Sequence, residues 1–422
     1  MFPQKEAFGF CFTKGVRAWY NSGKCPGTGL FHVFWKGNDR MKRVLACVMV
    51  FVLLASCALA EQTELEDELA RIFKAYKTAG ATLCVAKDGE IVYEYDYGYA
   101  HKKSKEPVSE ETYFRIASVT KLISGIHVMQ LVEQGLLTLD DSIGDYLGYP
   151  VYNLYYPKVP VTLRHLMTHT SSLSSKGGYT RESNTLSDLI DARNKKRGNW
   201  YKEKPGSAYR YSNFGAGIMG SLIEAVTGKN LNDSVTEGLF APLHIDAAYH
   251  PTLLNEPEKI ASLYAVSGSS RARSMLLRDV WDASVNPDKH YRLTVGAVWI
   301  HGRDLCRIGM MMANGGTLDG TVILQPETVA DMLSDQNGQG YVTCDTPYGL
   351  SVNRVDNLLE GRMLYGHQGL TDSGTVCNLY WDPETQFVFA LITNGSSTKM
   401  EDHIAKVSRR TFALMWENFS GE

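Results

Sequence analysis

The stretch Phe114-Arg-Ile-Ala-Ser-Val-Thr-Lys121, followed by Leu122, Ile123, Ile126, Met129 and Val132, decides how this chain is read. Its apolar positions recur at spacings of three and four until Gly135, the pattern of a helix closed by a C-terminal glycine. Ser118 stands at the start of that helix. Lys121, three residues on, shares its face, so the lysine nitrogen can reach the serine oxygen. A serine hydroxyl is a poor nucleophile until a base takes its proton, and a lysine can serve once desolvation or neighbouring cations lower its pKa. The helix N-terminus adds backbone N–H groups and a positive dipole end, which favour a developing oxyanion. Alone the pattern is weak, because Ser396-Ser-Thr-Lys399 fits it too.

Two further constellations stand downstream. Tyr211-Ser-Asn213 follows the turn signal Lys204-Pro205-Gly206 and precedes a helical pattern from Phe214. A phenol held near a cation can act as a base, and an amide two residues on can hold a substrate carbonyl. Read singly, the pair is a surface tyrosine and a helix-capping asparagine. His367-Gln-Gly369 lies on a late strand candidate. A glycine on a strand edge lets a substrate backbone approach, and strand N–H groups can complete an oxyanion hole. Singly, it is a strand-end histidine before a turn.

Around these motifs, Ala81-Thr-Leu-Cys-Val-Ala and Ile91-Val-Tyr-Glu-Tyr flank Asp88-Gly89 and read as a hairpin. Late strand candidates are Met363 to His367, Thr375 to Trp381 and Phe387 to Thr393, with a final helical pattern through Ile404, Val407, Phe412 and Met415. The middle of the chain, with its clearest helices near 214 to 227 and 303 to 313, shows little strand. The expectation is an α/β (α+β) fold: one antiparallel sheet built from both termini, about 80–117 and 346–417, flanked by helices, with a mainly helical region inserted at about 118–345.

Serine with lysine, then tyrosine with asparagine, then a basic or polar residue and glycine on a strand is, in this order, the pattern of the serine β-lactamase and penicillin-binding-protein superfamily. From about residue 80 to 417 the sequence resembles its class C β-lactamase-like branch, which includes D-alanyl-D-alanine carboxypeptidases, D-aminopeptidases and esterases. Leu166-Met-Thr-His-Thr170, Pro205-Gly206, Pro242-Leu243 and Thr393-Asn394-Gly395 support it. The resemblance implies that Ser118 forms an acyl-enzyme, that Lys121 tunes or accepts its proton, and that Tyr211 is acid and base for the leaving group. It also implies that Asn213 binds the substrate amide, that the N–H groups of Ser118 and Leu370 form the oxyanion hole, and that His367 lines the strand side of the cleft beside Gly369. Two departures stand out. His-Gln-Gly replaces the Lys-Thr-Gly of many relatives, so a substrate carboxylate is clamped less firmly and peptidase or esterase activity is favoured over potent β-lactam hydrolysis. Ser171-Ser172 replaces the usual Ser-Gly.

The expected function is an extracytoplasmic serine hydrolase acting on D-amino-acid peptides, peptidoglycan-type peptides or small esters. A β-lactam-binding sensor or silent binding protein of the same fold is the alternative. The chain has 422 residues, a formal net charge of -3 and no basic stripe, which argues against nucleic acid as a partner. Met41-Lys42-Arg43 and the apolar run Val44 to Ala60 have the layout of a secretory signal, ending in Ala58-Leu59-Ala60, while Leu54-Ala55-Ser56-Cys57 resembles a lipobox. Residues 41–60 are therefore read as a signal peptide or a membrane or lipid anchor, residues 1–40 as a mis-assigned extension, and 61–422 as the hydrolase domain. Downstream of the leader, Cys84, Cys306, Cys344 and Cys377 have no CxxC spacing and are expected buried, with no zinc site. His165 and His169 stand four apart without the glutamate of a zinc helix, and Gly215-Ala-Gly217-Ile-Met-Gly220 follows no apolar strand, so helix packing explains it better than a dinucleotide. No cofactor is implied.

Overall fold

The computed structural model describes residues 44, 46–48, 62–267, 269–336, 348–371 and 374–421. It falls into two units, Met1–Asp67 and Glu68–Glu422. In the first, the described residues are helical. The extension 1–40, most of the apolar run that was read as a leader, and Cys344 lie outside the described residues.

The second unit is organised by a seven-stranded antiparallel sheet. Its strands are β1 (Gly80–Lys87), β2 (Glu90–His101), β3 (Glu106–Pro107), β4 (Asn353–Val355), β5 (Leu364–Leu370), β6 (Val376–Asp382) and β7 (Phe387–Thr393). The order across the sheet is β4-β5-β6-β7-β1-β2-β3. The two ends of the chain meet at its centre, where β1 pairs with β7 from Ala81 opposite Thr393 to Ala86 opposite Val388. Asp88 and Gly89 turn the first hairpin with φ of 52° and 81°. Two left-handed residues match the right-handed twist of the flanking strands, which is why Asp-Gly stands there.

Every residue of β6 and β7 is buried, so the sheet is covered on both faces and Phe387 to Thr393 reads as a continuous apolar run. Helix α3 (Gly302–Ala313) covers one face, close enough that a Cβ on Gly309 would meet Val388 Cγ1 at 2.5 Å. Helix α4 (Lys406–Phe419) covers the other, with Phe412 and Trp416 edge-on to Phe387 at 5.9 and 4.9 Å between ring centres.

Between the two halves of the sheet lie the remaining helices. Helix α1 (Val119–Glu133) is buried continuously from Val119 to Leu131, as its apolar content requires. Helix α2 (Asn213–Thr227) packs beside it. A Cβ on Gly217 would stand 2.3 Å from the Tyr291 carbonyl, and one on Gly220 would stand 3.0 Å from Thr294 Cγ2, so close packing accounts for these glycines. A three-stranded sheet joins Trp299–Ile300 and Ala247–Ala248 of the insert to Phe114–Arg115 just before it. Two-residue strands are too short to show alternation, which is why little strand was expected there.

Candidate active site

Ser118 is the N-cap of α1, reached through a sharp bend: Ala117 is left-handed, with φ 48°. For a residue with a Cβ this costs on the order of 1 kcal/mol and persists only where the surroundings dictate it. Two glycines let those surroundings close on it here. A Cβ on Gly296 would meet the Ala117 carbonyl carbon at 3.1 Å, and one on Gly369 would meet the Ile116 oxygen at 2.4 Å and the Ser118 nitrogen at 3.0 Å. Strand β5 thus lies directly against the start of α1, and Gly369 is the residue that permits it.

Lys121, 1% exposed, sets its Nζ 2.8 Å from Ser118 Oγ and 2.7 Å from the Val295 carbonyl. Burial lowers its pKa from 10.5 to about 7. A carbonyl can only accept, so one N–H of the amine points to Val295; the neutral amine then keeps a lone pair for the serine proton.

Tyr211 lies across the cleft, its ring centre 5.4 Å from Lys121 Nζ. The residue is 42% exposed, but its hydroxyl end reaches inward to Ser118. Burial of that end pushes the phenol up to about 12, against a smaller lowering by the hydrogen bond with Ser118. The phenol therefore holds its proton at neutral pH, contrary to the phenolate that a nearby cation would favour. Asn213, the first residue of α2, has a buried Oδ1 without a hydrogen-bond partner.

His367 on β5 is 2% exposed. Its Nδ1 faces the Gln368 carbonyl at 2.7 Å, so this nitrogen carries the proton and Nε2 accepts from the Tyr348 hydroxyl at 3.0 Å. Burial, with a smaller contribution from the Lys121 charge, lowers its pKa to about 3. His367 is thus neutral, because its ring lies inside the protein. Ser118, Tyr211, Asn213, His367 and Leu370 line one cleft of about 290 Å³, with Lys121 beneath Ser118 and Gly369 behind it. All seven residues singled out in the sequence therefore converge.

Two residues were missed as parts of the site. His169 accepts the Ser212 N–H on Nδ1 at 3.2 Å and lies 4.3 Å from the Tyr211 ring, while Ser212 caps α2. Burial, with a smaller contribution from the Lys121 charge, keeps His169 neutral. Tyr348, fully buried, joins His169 to His367. The motif Leu166-Met-Thr-His-Thr170 held the signal for His169; nothing local marked Tyr348. His165 lies on the helix Leu163–Met167 and His169 beyond its end, so the two do not share a helical face. Among the described residues no group of three or more His, Cys, Asp or Glu could hold a metal ion.

The second sequence departure also has a physical content. Ser172 has φ 58°, the conformation that favours glycine, and its hydroxyl donates to the Ser171 carbonyl and accepts from Asn153 Nδ2 at 2.8 Å. The serine keeps the turn and adds a buried hydrogen bond.

An antiparallel sheet built from both termini, flanked by helices and interrupted by a helical insert that carries a serine-lysine pair, is the β-lactamase/transpeptidase-like architecture. A family model described as Beta-lactamase matches residues 65–412, and the chain belongs to that family. It is 28% identical over 327 residues to penicillin-binding protein 4 of Amycolatopsis lactamdurans, covering 75% of this chain and 81% of that one. It is 27% identical over 207 residues to Protein flp of Staphylococcus aureus (strain N315), covering 48% of this chain and only 41% of that protein's length. Among solved structures it resembles the octameric penicillin-binding protein homologue from Pyrococcus abyssi, with TM-score 0.65, 21% identity, and coverage of 84% of this chain and 77% of that one. It also resembles the D-amino acid amidase of Ochrobactrum anthropi, with TM-score 0.64, 21% identity, and coverage of 84% and 99%.

Proposed function

We propose that this protein is a serine hydrolase that cleaves an amide or ester through an acyl-enzyme on Ser118. The observation that carries the reading is the 2.8 Å contact between Ser118 Oγ and the buried Nζ of Lys121, whose pKa is lowered to about 7. At neutral pH a large fraction of that amine is unprotonated and is the base nearest the serine proton.

In the first step Ser118 Oγ attacks the substrate carbonyl carbon as its proton passes to Lys121 Nζ. The carbonyl oxygen becomes an oxyanion that the N–H groups of Ser118 and Leu370 receive. Tyr211, whose phenol is protonated, gives its proton to the leaving nitrogen or oxygen, and the proton on Lys121 restores it. Water then attacks the acyl carbon by the reverse relay, and the Ser118 hydroxyl is regenerated. Asn213 offers Oδ1 to a substrate N–H, which supports its role as the amide-binding residue. D-amino-acid peptides, peptidoglycan-type peptides and small esters are the proposed substrates. The resemblance to a D-amino acid amidase supports the first of these. The leader-like run from Val44 to Ala60 supports action outside the cytoplasm, with the run as signal or tether.

The test is intact-mass measurement of the protein and of Ser118→Ala after exposure to a fluorophosphonate and to a fluorescent penicillin. An adduct in the parent alone, decaying with time, is expected; no adduct with either reagent would sink the acyl-enzyme.

A further inference from the structure

On the strand side of the cleft the side chains of His367 and Gln368 are both engaged within the protein. Both His367 ring nitrogens are occupied, by the Gln368 carbonyl and the Tyr348 hydroxyl. Gln368 uses both ends of its amide: Nε2 donates to the His403 carbonyl at 3.0 Å, and Oε1 accepts from the Ala405 N–H at 2.8 Å. These two bonds hold a small hairpin, Met400–Glu401 paired with Ile404–Ala405, against β5. Its turn residues Asp402 and His403 are both left-handed, with φ 47° and 65°, and Asn357 Nδ2 donates to the Asp402 carbonyl at 2.8 Å. Asp402, His403 and Ile404 then form one wall of the cleft that Ser118 opens into.

The charge on that lining is one-sided. Among the described residues that line the cleft there is one carboxylate, Asp402, and no lysine or arginine. Arg409 stands outside the lining, 3.7 Å from the Asp402 carboxylate, with Nη1 on the Asn357 carbonyl at 2.6 Å. Asn213 adds an unpartnered acceptor from the opposite side. Away from the reacting hydroxyls, the described lining thus sets the Asp402 carboxylate and the open amide oxygen of Asn213 beside the polar side chains of Asn353 and His403, with no lysine or arginine of its own. Such a surface attracts N–H and ammonium groups and disfavours a carboxylate.

We infer that Gln368 is a specificity-determining residue and that the site takes neutral or amine-bearing amides and esters, excluding those that carry a carboxylate on the leaving group. The inference rests on the acyl-enzyme reading above. By closing its amide on the hairpin, Gln368 both withholds a donor from the substrate and positions the Asp402 wall.

The test compares two aryl esters with the same acyl group, 4-acetoxybenzamide and 4-acetoxybenzoate, each rate normalised to its hydroxide-catalysed hydrolysis. The parent protein should favour the neutral ester by at least about tenfold in kcat/KM, the scale of a well-placed charge repulsion. Gln368→Thr, which frees the hairpin and adds a hydroxyl donor, and Asn357→Ala, which frees the other side of the turn, should each bring the ratio below about threefold. Thermal melts confirm that both variants are folded. Equal rates on the two esters in the parent, a preference for the carboxylate, or an unchanged ratio in both variants would overturn the inference. The hydrolase reading fails separately, if Ser118→Ala keeps the activity. If neither ester turns over, protection of Ser118 from the fluorophosphonate by each compound reads the same preference.

Discussion

Gly369 and Ile116 touch where β5 crosses the entry to α1: a Cβ on the glycine would stand 2.4 Å from the Ile116 carbonyl oxygen. That contact fixes the distance between the strand and the Ser118 N–H. Gly369→Ala must therefore push the strand away from the bend at Ala117. Both stability and rate should fall, by about 1–3 kcal/mol for the overpacking and on the order of 100-fold in kcat for a displaced oxyanion donor. Urea unfolding and ester turnover read the two effects.

Under the proposed mechanism, in which neutral Lys121 is the base, the rate of acylation should rise with pH through about 7, where burial holds the lysine pKa. Tyr211 is pushed up to about 12 and keeps its proton throughout, so no fall from its ionisation enters below that value. Lys121→Arg stays charged at every accessible pH and should lose at least about 1,000-fold, as expected when a general base is removed. Stopped-flow acylation by a fluorescent penicillin or an aryl ester between pH 5.5 and 9 measures both.

The same lysine makes stability depend on pH. Its folded pKa, about 7, lies below the ordinary 10.5, so between those values the unfolded chain holds a proton that the folded protein has released. Stability therefore rises with pH across this window, by at most ~1.4 kcal/mol per unit, and is lost as pH falls. Lys121→Met should be inactive, should lose this part of the slope and should be more stable than the parent at pH 7. Urea unfolding of both proteins at pH 7.5 and 9.5 gives the difference.

These predictions use residues of unequal legibility. Ser118 and Lys121, Tyr211 and Asn213, and His367 and Gly369 lie two or three apart, so local geometry gives each pair a joint meaning. The sheet was legible because Phe387 to Thr393 and Ala81 to Ala86 are apolar runs beside turn signals. Tyr348 has no such neighbour. It acts on His367 across the β4–β5 connection, and only the folded chain brings the two hydroxyl and imidazole groups within 3.0 Å. The bend at Ala117 was equally hidden, since the segments that pack against it, through Gly296 and Gly369, are distant in sequence. Nothing local marked the depth at which His367 is buried.

Tyr348→Phe should separate positioning from chemistry. It leaves His367 Nε2 as a buried acceptor without a donor, at a cost of about 1–3 kcal/mol. Because Tyr348 meets His367, His169 and Tyr209 rather than the Ser118–Lys121 pair, the pH midpoint of acylation should stay near 7 while the melting temperature falls. A shifted midpoint would show that Tyr348 acts on the base.

Ser172 offers a two-variant check of the departure from Ser-Gly. Ser172→Gly relaxes the left-handed backbone but loses the hydrogen bond from Asn153, so the two effects should offset within about 1 kcal/mol. Ser172→Ala keeps the strain and loses the bond, and should be destabilised by about 1–3 kcal/mol. Equal melting temperatures for the two variants would remove the hydrogen bond from the account.

The pairing of Ala81 with Thr393 carries a consequence for the life of the chain before it is finished. The central strand pair joins the beginning of the unit to its end, and contacts of such sequence separation form late and slowly. A polypeptide still being synthesised holds Ser118 and Lys121 on one helix, yet lacks β5, the Gln368-held hairpin and the strand that closes the sheet. The cleft around Ser118 is thus unformed until residues 353–404 have been made, and a chain cut short before them exposes a serine with no pocket around it.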